Sequence, residues 1–283
     1  MKNKNLRILF LYPNLNMSTL VPNAISILTA ILKQANFNNI DLFDTTFYKS
    51  EELSKDEDRV KVGQVQPFNF DERNIKLKTT DMYKDFTDKV NKFNPDIIFA
   101  SIVEDTFPIF INFMELIKEK KIKCLAGGVF ASSAPERVIK LDFVDYVCRG
   151  EGEGAMVDLA NALEEGKDTS KIANLWVKKN GKIIAKNPIR PALDVNTLPV
   201  QDLSIFEDIT LHRPMMGKIY RMAPVETQRG CPYACRFCNS PEKNEFYAAQ
   251  EAGRFFRKRT MKHLHAELKE IISKFGIEYI FFI

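Results

Sequence analysis

The chain has 283 residues, of which 45% are hydrophobic and 28% charged, a composition that excludes a wholly disordered, collagen-like or small disulfide-stapled chain and leaves length for two domains. Forty-one Lys and Arg stand against 37 Asp and Glu, a formal charge of +4, a balance that implies no polyanionic partner, since a nucleic-acid reader normally carries a basic excess clustered on one face. The longest stretch without a charge, Ile8 to Leu32, is broken by Pro13, Asn14, Asn16, Pro22 and Asn23, whereas a spanning helix needs roughly 20 mostly apolar residues. Ile8 to Tyr12 is also too short for the apolar core of a signal peptide. The expectation is a cytoplasmic protein with no membrane span. Five cysteines, an odd number, three of them within eight positions, suit a metal site better than a disulfide framework.

In chain order, Leu6 to Tyr12 is an almost continuous apolar run ending at Pro13-Asn14, the pattern of a strand buried on both faces. Ala24, Ile25, Ile27, Leu28, Ile31, Leu32 and Ala35 recur at the helical period, and Ile40 to Phe47 reads as a second strand. Residues 49–78 are charged and aperiodic and read as a surface excursion. Tyr83, Phe86, Val90 and Phe93 mark a helix started by Thr80 or Asp81 and ended before Pro95. A third strand follows at Asp96–Val103, a helix at Phe107–Lys120 and a fourth strand at Lys123–Val129. Val144–Cys148 gives a fifth strand and Gly154–Glu165 another helix. Strands alternating with helices imply βαβ units and a parallel sheet covered on both faces, and five such strands fit the flavodoxin-like doubly wound order, whose ligands lie beyond the strand carboxyl ends.

After Lys167 the rhythm changes. Leu175–Val177, Asn180-Gly181 and Ile183-Ile184 spell a hairpin with a type I′ turn. A proline-bearing loop then runs to about residue 215. A strand at Ala223–Gln228 leads into a cysteine cluster and a basic segment. A helix marked by Leu264, Leu268, Ile271, Ile272 and Phe275 and a last strand at Tyr279–Ile283 follow. The implied organisation is 1–168 as a Rossmann-like domain, 169–215 as hairpin and linker, and 216–283 as a second, incomplete domain. The basic run Arg254, Arg257, Lys258, Arg259 and Lys262 reads as a solvated flank, with contact to a carboxylate or phosphate as the lesser alternative.

Cys231, Cys235 and Cys238 form C-x3-C-x2-C between a strand and a helix. Three thiolates on one short loop can take three corners of an iron–sulfur cubane and leave the fourth iron open to a small molecule. A Cys3His zinc site completed by His263 or His265 is the competing reading, although both histidines lie far from finger spacing. Cys124 and Cys148 sit in strand patterns and read as small buried core residues.

With Phe237 just before its last Cys, this loop resembles the signature of radical S-adenosylmethionine (SAM) enzymes. The resemblance implies a [4Fe-4S] cluster on Cys231, Cys235 and Cys238, SAM on the open iron, and Phe237 against the adenine. The cluster's electron would cleave SAM to a 5′-deoxyadenosyl radical. The first half resembles the cobalamin-binding Rossmann domain that precedes many such modules: Ser101 after the third strand and Gly127-Gly128 after the fourth match the positions that line the slot for the cobalamin nucleotide tail. Cys148-Arg149-Gly150-Glu151-Gly152-Glu153 resembles the segment that ends the fifth strand there, which places Gly150 and Glu151 among the implied cofactor contacts. The first loop, Tyr12 to Ser18, departs from the cobalt-ligating Asp-x-His-x-x-Gly motif, and no His occurs before His212.

The resemblance therefore implies a doubly wound cobalamin domain followed by the start of a radical SAM partial (β/α) barrel, acting most often in methyl transfer to an unactivated carbon. Cyclisation, oxidation or rearrangement on the same two domains, and a non-catalytic cobalamin- or metal-binding module, remain as alternatives. Implied partners are a small-molecule, natural-product or lipid substrate and an external flavodoxin- or ferredoxin-like electron donor. Only two barrel strands are present, so the chain is expected to be a carboxyl-terminally truncated fragment that holds a labile cluster without useful turnover. The catalytic residues themselves are not legible.

Overall fold

The computed structural model describes residues 4–18, 21–49 and 54–283. Its main sheet takes the strands β1 (Ile8–Tyr12), β2 (Ile40–Asp44), β3 (Ile97–Ser101), β4 (Lys123–Gly127) and β5 (Tyr146–Cys148) in the parallel order β2-β1-β3-β4-β5, which is the flavodoxin-like doubly wound order. The helices α1 (Asn23–Gln34), α2 (Lys55–Lys61), α3 (Met82–Phe93), α4 (Phe107–Ile117), α5 (Val129–Ser133), α6 (Pro135–Ile139) and α7 (Glu153–Glu164) connect and cover it. Two apolar layers result. Phe10, Phe99, Leu125 and Leu28 lie in one, and Leu11, Phe86, Phe110 and Phe113 in the other. Every residue from Ile8 to Leu11 is buried, so a strand with apolar side chains on both faces has no solvated side.

Local signals set the helix ends. Asp81 caps α3 by accepting from the Tyr83 and Lys84 N–H groups at 2.8 and 3.3 Å, and Asn94 closes it in the left-handed region. The segment read as a free excursion is only partly one, and its residues 50–53 lie outside the described set. Ser54 and Glu57 form a reciprocal capping box that starts α2, and Phe47, Ile75 and Ile219 build a small core of their own with Phe68 and Phe70 packed on it. The Ser-x-x-Glu spacing was the available sequence signal.

The hairpin β6 (Leu175–Lys179) and β7 (Lys182–Lys186) turns on Asn180 and Gly181, both at positive φ, as a type I′ turn requires. It does not stand apart as a linker. β6 pairs antiparallel with β5 and extends the sheet to seven strands. β5 has three residues, and the buried Leu175, Trp176 and Val177 cover its edge.

Beyond the linker, β8 (His212–Met215) pairs antiparallel with β9 (Lys218–Val225) across Met216-Gly217, again with both φ positive. By pattern residues 212–215 read as loop and the following strand as starting at Ala223; the structure starts β9 at Lys218, and the polar Lys218, Tyr220 and Arg221 conceal that first half. Short β10 (Gln228–Arg229), α8 (Ser240–Ala249), β11 (Arg257–Lys258) and α9 (Met261–Phe275) follow, and β12 (Tyr279–Phe282) returns parallel to β9. A parallel strand pair joined through a helix is the βα repeat from which (β/α) barrels are made. Among the described residues no helix is long and apolar enough to cross a membrane.

Candidate cofactor cleft and cysteine loop

A cleft of about 460 Å³ opens at the carboxyl ends of β1, β3, β4 and β5. It lies where the strand order reverses between β1 and β3, the topological switch point at which open α/β sheets bind ligands. Its inner end is apolar, with Phe10, Ile25, Leu28 and Phe99 between α1 and the sheet. Its rim carries Ser101, Gly127, Gly128, Ser132, Gly150 and Glu151. The opposite wall comes from the second unit, through Glu226, Arg229, Gly230, Lys243, Phe246, Tyr247 and Phe255.

Ser101 and Gly127 stand side by side in the β3–β4 register. The two glycines differ in what holds them. A Cβ on Gly127 would meet the Ala100 carbonyl oxygen and Cys148 Cβ at 3.8 Å, ordinary contact, so this buried position has room for a methyl group. A Cβ on Gly128, at φ +94°, would fall 2.6 Å from the Ile102 carbonyl oxygen. Gly128 is therefore required by the approach of the β3 and β4 loops to one another, whatever occupies the cleft. Ser132, which the sequence reading missed, ties this rim together: its hydroxyl donates to the Gly128 carbonyl at 3.0 Å and accepts from the Gly150 N–H at 3.1 Å.

Glu151 lines the cleft but is fully engaged. Its carboxylate accepts from Arg257 at 3.0 Å, from Arg229 at 3.2 Å and from the Leu193 N–H at 3.0 Å. Burial alone would raise its carboxyl; the Arg257 hydrogen bond, the Arg229 charge and the Leu193 N–H outweigh that and hold it below the usual range. Arg229 also binds Glu153 at 2.6 Å and Glu226 at 3.0 Å. Burial works against its guanidinium charge, but the surrounding carboxylates more than compensate and raise its pKa. The basic run is thus not a solvated flank throughout: Arg257 is clamped on Glu151, and Arg259 is buried against Glu267.

The cysteine loop hangs from the cleft wall. Gly230 lines the cleft, while Cys231 is half-buried and Cys235 and Cys238 are exposed. Phe237 is 94% exposed and does not line the cleft. The Ser240 N–H donates to Cys238 Sγ at 3.5 Å, and bonding from Ser240 lowers that thiol's pKa, favouring the thiolate a metal needs. Cys148 is the contrast: burial, with the charge of Glu153, pushes its thiol up to about 12. Cys124 is likewise buried and raised well above the ordinary range. Among the described residues no three His, Cys, Asp or Glu side chains converge as ligands of one metal ion, and His263 bonds Thr260 Oγ1 at 2.6 Å. A cubane spreads three thiolates over three separate irons.

Helix α8, absent from the sequence reading, supplies Lys243, Phe246 and Tyr247 to the cleft. It has too few apolar positions to show a period, but Pro241 in its first turn was a usable start signal. Burial lowers the Lys243 pKa and raises that of the Tyr247 hydroxyl.

These features define a class: a doubly wound domain with a ligand cleft at its switch point, roofed by a unit that carries the cysteine loop between the parallel strands β9 and β12. Residues 62–160 match the B12 binding domain family, and the chain has the fold seen in solved cobalamin-dependent radical SAM enzymes. It is 26% identical over 207 residues to an uncharacterized methyltransferase of Pyrococcus horikoshii, covering 71% of this chain and 42% of that protein. Over 174 residues it is 25% identical to the anaerobic magnesium-protoporphyrin IX monomethyl ester cyclase of Rubrivivax gelatinosus, covering 58% and 31%. Among solved structures it superposes on the radical SAM methyltransferase TsrM of Kitasatospora setae, with a TM-score of 0.64 and 16% identity over 99% of this chain and 47% of that one. A second TsrM structure holds cobalamin and a [4Fe-4S] cluster. The chain spans less than half the length of these relatives.

Proposed function

We propose that the chain belongs to a cobalamin-dependent radical SAM enzyme that transfers a methyl group to an unactivated carbon of a small-molecule, natural-product or lipid substrate, with a flavodoxin- or ferredoxin-like electron donor. The observation that carries this reading is the single cleft bounded by the β3–β5 carboxyl ends on one side and by the segment entering Cys231 on the other. The residues present fit the implied groups. The side-chain-free backbone at Gly127 that lines the cleft, the Ser101 rim and the apolar inner end suit an elongated ligand with a flat apolar terminus, as a cobalamin nucleotide tail has. Cys231, Cys235 and Cys238 are the donor set of a cubane with one open iron. When bound, the cluster and SAM supply one-electron chemistry and cobalamin supplies a methyl carrier.

The chain's own residues do the rest. Phe10, Ile25, Leu28 and Phe99 exclude water from the inner end of the cleft. Ser132 fixes Gly128 and Gly150 relative to each other, and the Ser240 N–H steadies the Cys238 thiolate. No His precedes His212, so the amino-terminal domain offers no imidazole to cobalt.

The test is anaerobic reconstitution. Wild-type chain is expected to bind about four irons with matching sulfide. Replacing Cys231, Cys235 or Cys238 by Ala should abolish this, and replacing Cys124 or Cys148 should not. Stoichiometric zinc without sulfide would end the cluster reading. A protein-nitrogen splitting in the paramagnetic resonance of bound Co(II) would overturn the His-free assignment. The similarity to the cyclase supports a second reading, ring closure on the same two domains. Methyl-labelled SAM separates the two, because only methyl transfer carries the label into product.

A further inference from the structure

The segment Arg149–Glu153, which follows β5, makes more contacts with the second unit than the proposed cofactor role calls for. Arg149 stacks between the rings of Trp176 and Phe246, at 5.2 and 4.5 Å from their centroids; Trp176 belongs to β6 of the platform and Phe246 to α8, just after the cysteine loop. Glu151 is shared by Arg229 and Arg257, and Glu153 is held by Arg229. Arg257 Nη1 also donates to the Leu193 carbonyl at 2.9 Å, bringing the linker into the same knot. These carboxylates and guanidiniums are between 10 and 17% exposed, so they are paired where water competes weakly.

We infer that Arg149–Glu153 is a latch that docks the cysteine-loop unit onto the carboxyl ends of the platform strands, with Glu151 a positioning residue and not a ligand of the cofactor. The geometry supports a latch over a ligand because every acceptor direction of Glu151 that the structure shows is spent on this chain: two arginines and one main-chain N–H. Arg229 lies two residues before Cys231, so the latch sets where the cysteine loop starts. Its value for chemistry rests on the cofactor reading above; its existence as a fastening does not.

Hydrogen exchange on the chain as it stands, compared with cofactor uptake, tests this. In Glu151→Gln the amides of 228–230 and 257–258 should exchange on the order of tenfold faster, because a buried guanidinium loses its counter-charge, while those of β3 and β4 stay unchanged. Arg257→Lys, which keeps the charge but loses the fork, should fall between wild type and Glu151→Gln. Hydroxocobalamin retention and reconstituted iron should each stay within about twofold of wild type, since latch residues position the cofactors without binding them. Unchanged exchange in both variants overturns the latch. A loss of cobalamin on the order of tenfold with unchanged exchange overturns it in favour of a direct ligand, which forfeits its contact without loosening the seam. Should Glu151→Gln fail to fold, Arg257→Lys alone decides: exchange equal to wild type rejects the latch and faster exchange supports it. If wild-type chain takes up neither cobalamin nor iron, the cofactor reading fails while the exchange result still judges the latch.

Discussion

The platform and the cysteine-loop unit are stabilised by different means. In the platform, β1, β3 and β4 are almost wholly apolar and covered on both faces, and the Phe43, Phe86 and Phe113 rings pack edge-to-face or tilted within 4.8–5.5 Å. In the second unit, charged groups go inside. Arg259 and Glu267 form an ion pair with side chains 4 and 3% exposed. Arg213 of β8 is buried, reaching the Met17 carbonyl at 3.1 Å and Asp56 at 3.4 Å. Apolar packing is non-directional and tolerates small displacements, whereas a buried guanidinium requires its carboxylate in one place. A platform needs only to be solid; a loop that must present three thiols beside another body needs an address. The cost of that address is desolvation, which buried ion pairs often fail to recover in net stability.

Unpairing a buried charge of the second unit is expected to have the largest effect. Arg259→Met leaves Glu267 buried without its guanidinium and should cost about 3–5 kcal/mol in urea denaturation. Adding Glu267→Leu to the same chain should recover most of that loss if the pair sets geometry more than stability. Burial outweighs the Arg259 attraction and raises the Glu267 pKa. Burial of the neutral Glu267 carboxyl therefore favours the fold fully below the unfolded carboxylate pKa, and that advantage is lost as pH rises through the higher folded value. A double variant as unstable as the single one would show that the pair is a net stabiliser.

A smaller effect sharpens the description of the platform. Gly128→Ala forces a Cβ toward the Ile102 backbone and should cost about 1–3 kcal/mol as stored strain. Gly127→Ala, in ordinary contact distance, should stay within about 0.5 kcal/mol while narrowing the cleft. Equal losses of stability at the two positions, read from thermal melts, would contradict the geometry drawn for them.

The smallest effect lies on the platform surface. The Arg7 hydrogen bond lowers the Asp96 pKa, against a smaller effect of burial, but both side chains are 38% exposed. After allowance for solvent screening, Asp96→Asn should cost only about 0.5–1 kcal/mol near neutral pH. The contribution is present above the unfolded carboxylate pKa and disappears as pH falls through the lower folded value. A pH series of urea midpoints that shows no convergence of wild type and variant in acid would show that this pair does not stabilise the fold.

The same contrast explains what could be read beforehand. The five parallel strands were legible because an apolar run bounded by turn residues is local information, and the cysteine loop because Cys231, Cys235 and Cys238 lie close together in the chain. Asn180-Gly181 likewise announced its hairpin. That the hairpin would seat on β5 was not legible, since a strand's partner lies elsewhere in the chain. Nor was the burial of Arg257 and Arg259: a charge run reads as solvated until its carboxylates, 106 residues earlier for Glu151 and eight later for Glu267, are seen beside it. Ser132 and Tyr247 escaped for the same reason, being ordinary residues made relevant only by the cleft they border.

The hairpin has one more consequence. By capping β5 it moves the open margin of the sheet outward to β7, where Ile183 and Ile184 are exposed and would invite another strand. Lys182 and Lys186 bracket that pair on β7, and Lys179 stands beside Lys182 in the register with β6. Two copies approaching through this margin would bring like charges together before any backbone bond could form, a recognised guard against aggregation at sheet edges. The margin is electrostatically fenced, and a variant that neutralised Lys182 and Lys186 would expose the chain to self-association there.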